Sequence, residues 1–235
     1  MKSLQTLVVC LLVAASAIAD IDGAWTAQIE KQKDRVYLNV TRQPFNNWGT
    51  TYDLSELGGL TRAQIESATA TPIQFQLRHD AGVLAFEGTF RRGVGAGQFT
   101  FTPNRAFMSQ IRALGISTDS DRTEEDELFR AAMSGVSVAY AREMHGIYAD
   151  ADLRGLSKLK AVGVTTPWLR EMREAGVAIT NAHDATKLAA MGVSVKFIRE
   201  LADAGYRNLS VHDLTRLAAV GVDGNFIREM EKYKK

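Results

Sequence analysis

Gly192-Val193-Ser194-Val195-Lys196-Phe197-Ile198-Arg199-Glu200-Leu201 is the stretch on which the reading of this chain turns. Its pattern returns every 28 or 29 residues, with Gly135, Gly163, Gly192 and Gly221 marking the register. An aromatic residue stands five positions beyond each glycine: Tyr140, Trp168, Phe197 and Phe226. Seven and eight positions beyond stand Arg142-Glu143, Arg170-Glu171, Arg199-Glu200 and Arg228-Glu229. A unit of this length cannot bury an apolar face alone, so neighbours must stack into a common core, and arrays of this kind mostly bind other macromolecules.

Helix boundaries follow from the same register. Ser137, Thr165, Ser194 and Asp223 each lie two residues after a register glycine, and Asp152, Asn181 and Ser210 lie eleven before the next one. All have side-chain oxygens that can accept from free amides in a first helical turn. Asp184 and Asp213, three residues into the second helix, place a carboxylate where it favours the helix N-terminus. Leu159, Leu188 and Leu217 recur four residues before the glycine and give that helix a buried stripe. Phe107 to Gly115 matches Phe197 to Gly205 in residue class, which predicts a divergent first unit capped by Asn104, with Ser117 to Asp126 as a charged, mobile insertion. The expected units are 102–134, 135–162, 163–191, 192–220 and a half unit 221–235.

The preceding residues, 20–101, change period from helical to two. Trp25–Ile29, Val36–Val40, Trp48–Leu54, Ile73–Leu77, Val83–Phe90 and Gln98–Phe101 read as six antiparallel strands. Thr61 caps a short helix through Ile65, Asp80-Ala81-Gly82 makes one hairpin turn, and Gly93 to Gly97 makes another. The fold class is therefore α+β: an antiparallel β-meander or small barrel followed by an all-α, solenoid-like array of helix hairpins.

Residues 1–19 read as a signal peptide: Lys2, an apolar run from Leu7 to Ala15, and Ala17-Ile18-Ala19 before Asp20. The apolar run is shorter than the roughly 20 residues of a spanning helix. The single cysteine, Cys10, falls inside that run, so the mature chain has no disulfide, which suits a secreted protein of a bacterial periplasm. Lys and Arg total 28 against 27 Asp and Glu; without Lys2 the charges balance, which argues against a nucleic-acid binder.

Candidate chemistry is sparse. His79-Asp80, His183-Asp184 and His212-Asp213 resemble catalytic or metal-binding fragments, but the last two occupy equivalent cap positions, and neighbouring helix residues diverge too much to chelate. His145 reads as a solvated residue near a helix end. Gly93-Val94-Gly95-Ala96-Gly97 lacks the Lys-Ser/Thr of a phosphate loop. No metal, cofactor or catalytic residue is predicted. Candidate contacts are Arg142, Arg170, Arg199 and Arg228, as a charged ladder gripping protein or peptide, and Trp48 in the β-domain. The competing reading has the Arg-Glu pairs bridge neighbouring helices. Trp25 is the candidate wall of a small apolar ligand site, the alternative function being a carrier.

The motifs Phe86-Glu87-Gly88-Thr89-Phe90, Gln98-Phe99-Thr100-Phe101-Thr102-Pro103-Asn104 and the repeated Gly-Val-Ser unit resemble uncharacterised bacterial secreted or periplasmic proteins with a β-domain and bihelical repeats. The combination is similar to the non-catalytic extension of membrane zinc peptidases of the beta-lactam-sensor type. This chain lacks their His-Glu-x-x-His, so no catalytic role carries over. The resemblance implies a sensing or docking accessory of the cell envelope, with a protein or peptide partner. Oligomeric state is left open by the sequence.

Overall fold

The alternation in Ile73-Gln74-Phe75-Gln76-Leu77 becomes the centre of a strand, β5, with Ile73, Phe75 and Leu77 buried and Gln74 exposed. The computed structural model describes residues 21–30, 33–42, 46–222, 226 and 229. The segment read as a signal peptide, with Cys10, therefore lies outside the described residues, as do Asp223, Arg228 and residues 231–235.

Seven antiparallel strands form one curled, half-barrel sheet in the order β3-β2-β1-β7-β6-β5-β4. They are β1 (Ile21–Ile29), β2 (Arg35–Arg42), β3 (Asn46–Asp53), β4 (Leu57–Gly58), β5 (Thr71–His79), β6 (Gly82–Arg91) and β7 (Val94–Pro103). The seventh strand beyond the predicted six is β4. A 3₁₀ turn at Leu54–Glu56 carries the chain from the β3 edge to the other side of the sheet, where Leu57 pairs with Leu77.

The glycine-rich stretch departs from expectation. The turn between β6 and β7 consists of Arg92 (φ 51°) and Gly93 (φ 88°) alone, the positive pair that a two-residue hairpin requires. Gly95 and Gly97 belong to β7. A Cβ on Gly97 would stand 1.9 Å from the Glu87 carbonyl oxygen, so β6 and β7 approach here as only glycine permits. The run reads as a turn in sequence because glycine serves close strand packing as well as reversal.

Nine helices follow from the capping pattern among the described residues. Thr61 caps α1 (Arg62–Glu66), and Asn104 caps α2 (Arg105–Ala113). The rest are α3 (Glu124–Ser134), α4 (Val138–Ile147), α5 (Leu153–Ala161), α6 (Thr166–Glu174), α7 (Ala182–Ala190), α8 (Val195–Asp203) and α9 (Val211–Ala219). Ser137, Asp152, Thr165, Asn181, Ser194 and Ser210 each accept a hydrogen bond from the third amide of the helix that follows. Gly135, Gly163 and Gly192 adopt φ of 71°, 79° and 69°, the left-handed conformation that ends one helix and redirects the chain into the next. Helices α3, α5, α7 and α9 pack successively against one another, while α2 contacts α3 and α4.

The charged insertion, Ser117 to Asp126, contains a helix start and ion pairs. Helix α3 begins inside it, capped by Thr123, and Asp119 pairs with Arg122 at 3.5 Å and Arg154 at 3.4 Å. Four acidic residues, Glu124 to Glu127, open α3 and favour its N-terminus.

Helix α3 joins sheet to helices. Phe129 stacks on Phe99 and meets Phe101 edge-on, with ring centroids 6.0 and 5.3 Å away. The Tyr52 hydroxyl donates to the Met133 carbonyl at 2.6 Å, and burial pushes its pKa up. His79 donates from Nδ1 to the Ala132 carbonyl at 2.6 Å, which fixes its tautomer because a carbonyl only accepts. One apolar core consequently runs from Trp25 through Phe129 and Met144 to Leu169 and Ala185, and a second, smaller cluster holds Met172, Val177, Leu188, Ile198, Leu201 and Leu214.

Candidate functional site

The register places Arg142 on α4, Arg170 on α6 and Arg199 on α8, all exposed. Their side chains form no ion pair among the described residues. The bridging of neighbouring helices considered for Arg142, Arg170 and Arg199 is therefore not found in this part of the chain. Arg199 instead borders a cleft of about 500 Å³ between α6 and α8, together with Glu171, Glu174, Lys196, Glu200 and Asp203. A mixed cleft of this kind can hold a polar chain segment with charges of both signs.

The two sequence candidates of the sheet part company. Trp48 lies in β3, half-buried, with the Arg130 guanidinium 5.1 Å from its ring centroid. It belongs to the contact between sheet and α3, and a cation over an indole face is a stable arrangement there. Trp25 is 1% exposed. Its indole N–H is shared between the carbonyls of Glu87 and Gln98, each at 3.0 Å. Phe75, Phe86 and Phe90 surround the ring at 5.4, 6.2 and 5.6 Å between centroids. Every side of the indole is met by protein, so Trp25 acts as a plug of the core.

A depression of about 780 Å³ lies elsewhere, on the face of the sheet that alternation turns toward solvent. Gln74, Gln76, Glu87, Gln98 and Thr100 border it over a floor of small residues such as Ala24 and Ala85. It crosses paired positions of consecutive strands, Gln74 with Glu87 and Glu87 with Gln98.

Each His-Asp pair has a structural occupation at its aspartate. The Asp80 carboxylate accepts from the Val138 amide at 3.0 Å, in the first turn of α4. Asp184 is bonded to Asn181, and Asp213 to Ser210, both within caps. The Ser210 hydroxyl and amide hold the Asp213 carboxyl below the usual range. His145, expected to be solvated, is half-buried, with its Nδ1 enclosed. No group of three or more His, Cys, Asp or Glu side chains suited to a metal ion occurs among the described residues.

One residue was not anticipated at all. Glu127 on α3 is 1% exposed, and neither carboxylate oxygen has a hydrogen-bond partner among the described residues. Burial pushes its pKa up; Arg130 and Arg122 oppose that, and Asp119 and Asp152 reinforce it. Its signal in the sequence is the acidic run Glu124 to Glu127, whose last member faces inward while the first three lie at the partly exposed N-terminus of α3.

No family model, curated protein or solved structure matches this chain. No helix among the described residues is long and apolar enough to cross a membrane.

Proposed function

We propose that this chain is a non-enzymatic recognition module of the bacterial envelope, secreted or periplasmic, whose helix hairpins stack as a solenoid-like array that binds a protein or peptide. The observation that carries the reading is the recurrence of exposed Arg142, Arg170 and Arg199 at equivalent positions, free of ion pairs among the described residues. A cation that merely stabilised stacking would be paired with a neighbour. Further support comes from the His-Asp pairs, whose aspartates are committed to helix starts. The signal-like residues 1–19 and the resemblance to peptidase extensions supply the location.

The test is native mass spectrometry of the mature protein purified from its own host, followed by the variant with Arg142, Arg170, Arg199 and Arg228 all changed to Ala. A protein or peptide adduct that disappears in the variant, with the helical circular dichroism unchanged, supports the reading. An adduct of a few hundred daltons retained by the variant sinks it in favour of a small-molecule carrier.

A further inference from the structure

The two edges of the sheet are finished differently. At one of them β5 is covered: β4 pairs with it at Gln76 and Leu77, Gly59 approaches Gln74, α1 packs on it, and Pro72 removes one amide. A short edge strand, a proline and a covering element are common means of blunting a free edge. At the other edge β3 has none of them. It is 8 residues long, its pairing with β2 runs without a bulge from Asn46 opposite Arg42 to Asp53 opposite Arg35, and no charged residue or proline occurs from Asn46 to Tyr52. No strand lies beyond it among the described residues, and no backbone hydrogen bond joins it to an element other than β2. Alternate amides and carbonyls of β3 therefore point outward without a backbone partner.

The side chains flanking this edge decide what can be added to it. On the core face Trp48 is half-buried, with the Arg130 guanidinium 5.1 Å from its ring centroid. The Arg130 side chain forms no ion pair or hydrogen bond among the described residues, and its Nε is enclosed without a partner. Burial and the nearby Arg122 charge push its pKa down. The acids around it are engaged or muted: Asp126 pairs with Arg42, Asp119 pairs with Arg122 and Arg154, and burial raises the pKa of Glu127. On the outer face Tyr37 leans from β2 across Gly49, where a Cβ would collide with its hydroxyl. The edge thus offers backbone pairing between two aromatic side chains, with one uncompensated cation on the core side.

We infer that the free edge of β3 takes up an extended peptide as an added strand, antiparallel to β3, with a carboxylate on the residue opposite Trp48. Such a strand lies about 4.8 Å from β3, and directly opposed residues bring their Cβ atoms to about 5 Å, which sets a glutamate side chain beside the Arg130 guanidinium. Main-chain hydrogen bonds supply affinity to any extended segment, and alternate side chains supply the choice among segments. A second copy of this chain lacks the complementary charge. Joined antiparallel through β3, it would present Trp48, Thr50 and Tyr52 on the core face, none of them a carboxylate, and would bring two Arg130 side chains toward one seam. The inference goes beyond the reading of the helical array and stands apart from the arginine ladder.

The test measures fluorescence anisotropy of labelled Thr-Val-Thr-Glu-Thr-Val-Thr with the full mature chain, against the same peptide carrying Lys in place of Glu. The Glu peptide binds about tenfold more tightly. Arg130→Gln brings the two peptides to within about twofold of each other. If that variant alters the circular dichroism, added salt gives the same readout in the unaltered protein, because it screens the charge preference. N-methylation separates edge-on pairing from loose contact. Methyl groups on the valine and glutamate amides block one edge of the peptide, and methyl groups on the two central threonine amides block the other; one of these peptides binds as before and the other does not. No binding, equal affinity for the Glu and Lys peptides, a preference that survives both Arg130→Gln and salt, or equal effects of methylation on the two edges overturns the inference. So does a dimer in sedimentation velocity that the Glu peptide cannot dissociate, which would assign the edge to a second copy of the chain.

Discussion

The sheet and the helical array bury their aromatic residues in opposite ways. In the sheet, Trp25, Phe75, Phe86, Phe90 and Phe99 converge from four strands into one cluster, each at most 2% exposed. In the array, the cover of the one aromatic per unit thins along the chain. Tyr140 is 8% exposed, Trp168 and Phe197 are half-buried, and Phe226 is 50% exposed. The difference follows from connectivity. A sheet ties residues distant in sequence into one cooperative unit, whereas α5, α7 and α9 each pack mainly against the helices beside them in the row. Stability should therefore be shared around Trp25 and graded toward the C-terminus.

The harshest challenge to that contrast is Trp25→Ala. Removing the indole leaves a cavity among three phenylalanines and strips the Glu87 and Gln98 carbonyls of their shared donor. A loss of about 3–5 kcal/mol is expected in chemical denaturation. Because one core runs from Trp25 to Leu169, the helical signal up to α6 should fall together with the sheet signal. Separate transitions in this variant would mean that the sheet and the first hairpins are independent units.

Leu214→Ala sharpens the other side. Leu214 is 1% exposed in the second, smaller cluster, and its truncation costs about 2–5 kcal/mol where it acts. The change should appear in native-state hydrogen exchange as lost protection in α8 and α9, with β5 to β7 unaltered. Uniform loss across the chain would show that the array is as cooperative as the sheet.

The sequence made the regular parts legible and concealed the places where one residue type serves two ends. The caps at Ser137, Asp152, Thr165, Asn181, Ser194 and Ser210 were readable because a helix start needs a side-chain acceptor at a fixed spacing, and the repeat confirmed each one by its copies. Gly95 and Gly97 were not, since close strand approach and chain reversal both select glycine. Strand β4 is too short to show a period. Arg142, Arg170 and Arg199 were visible by register, yet their lack of ion-pair partners among the described residues is a tertiary fact.

Glu127 carries the subtlest consequence, at the junction of the two regions. Counting back eight residues from a register glycine gives Asp184, Asp213 and, in the first unit, Glu127. Asp184 and Asp213 are third in their helices and serve the caps. In α3 the cap has moved one residue earlier, to Thr123, so Asp126 takes the third place and Glu127 the fourth. The displaced carboxylate turns inward and finds no hydrogen bond. Burial raises its pKa, so the folded chain holds this proton more tightly than the unfolded chain does. Its contribution is therefore most favourable in acid. It falls as pH rises from the ordinary carboxylate range through the raised value. Glu127→Gln removes that titration and should stabilise the protein by about 1 kcal/mol at pH 7, with a smaller gain near pH 4. Denaturant midpoints of both proteins across that range decide the matter. A wild-type stability that instead rises with pH would mean that Arg130 fully compensates the charge, making the joint between sheet and array an ion pair rather than a buried acid.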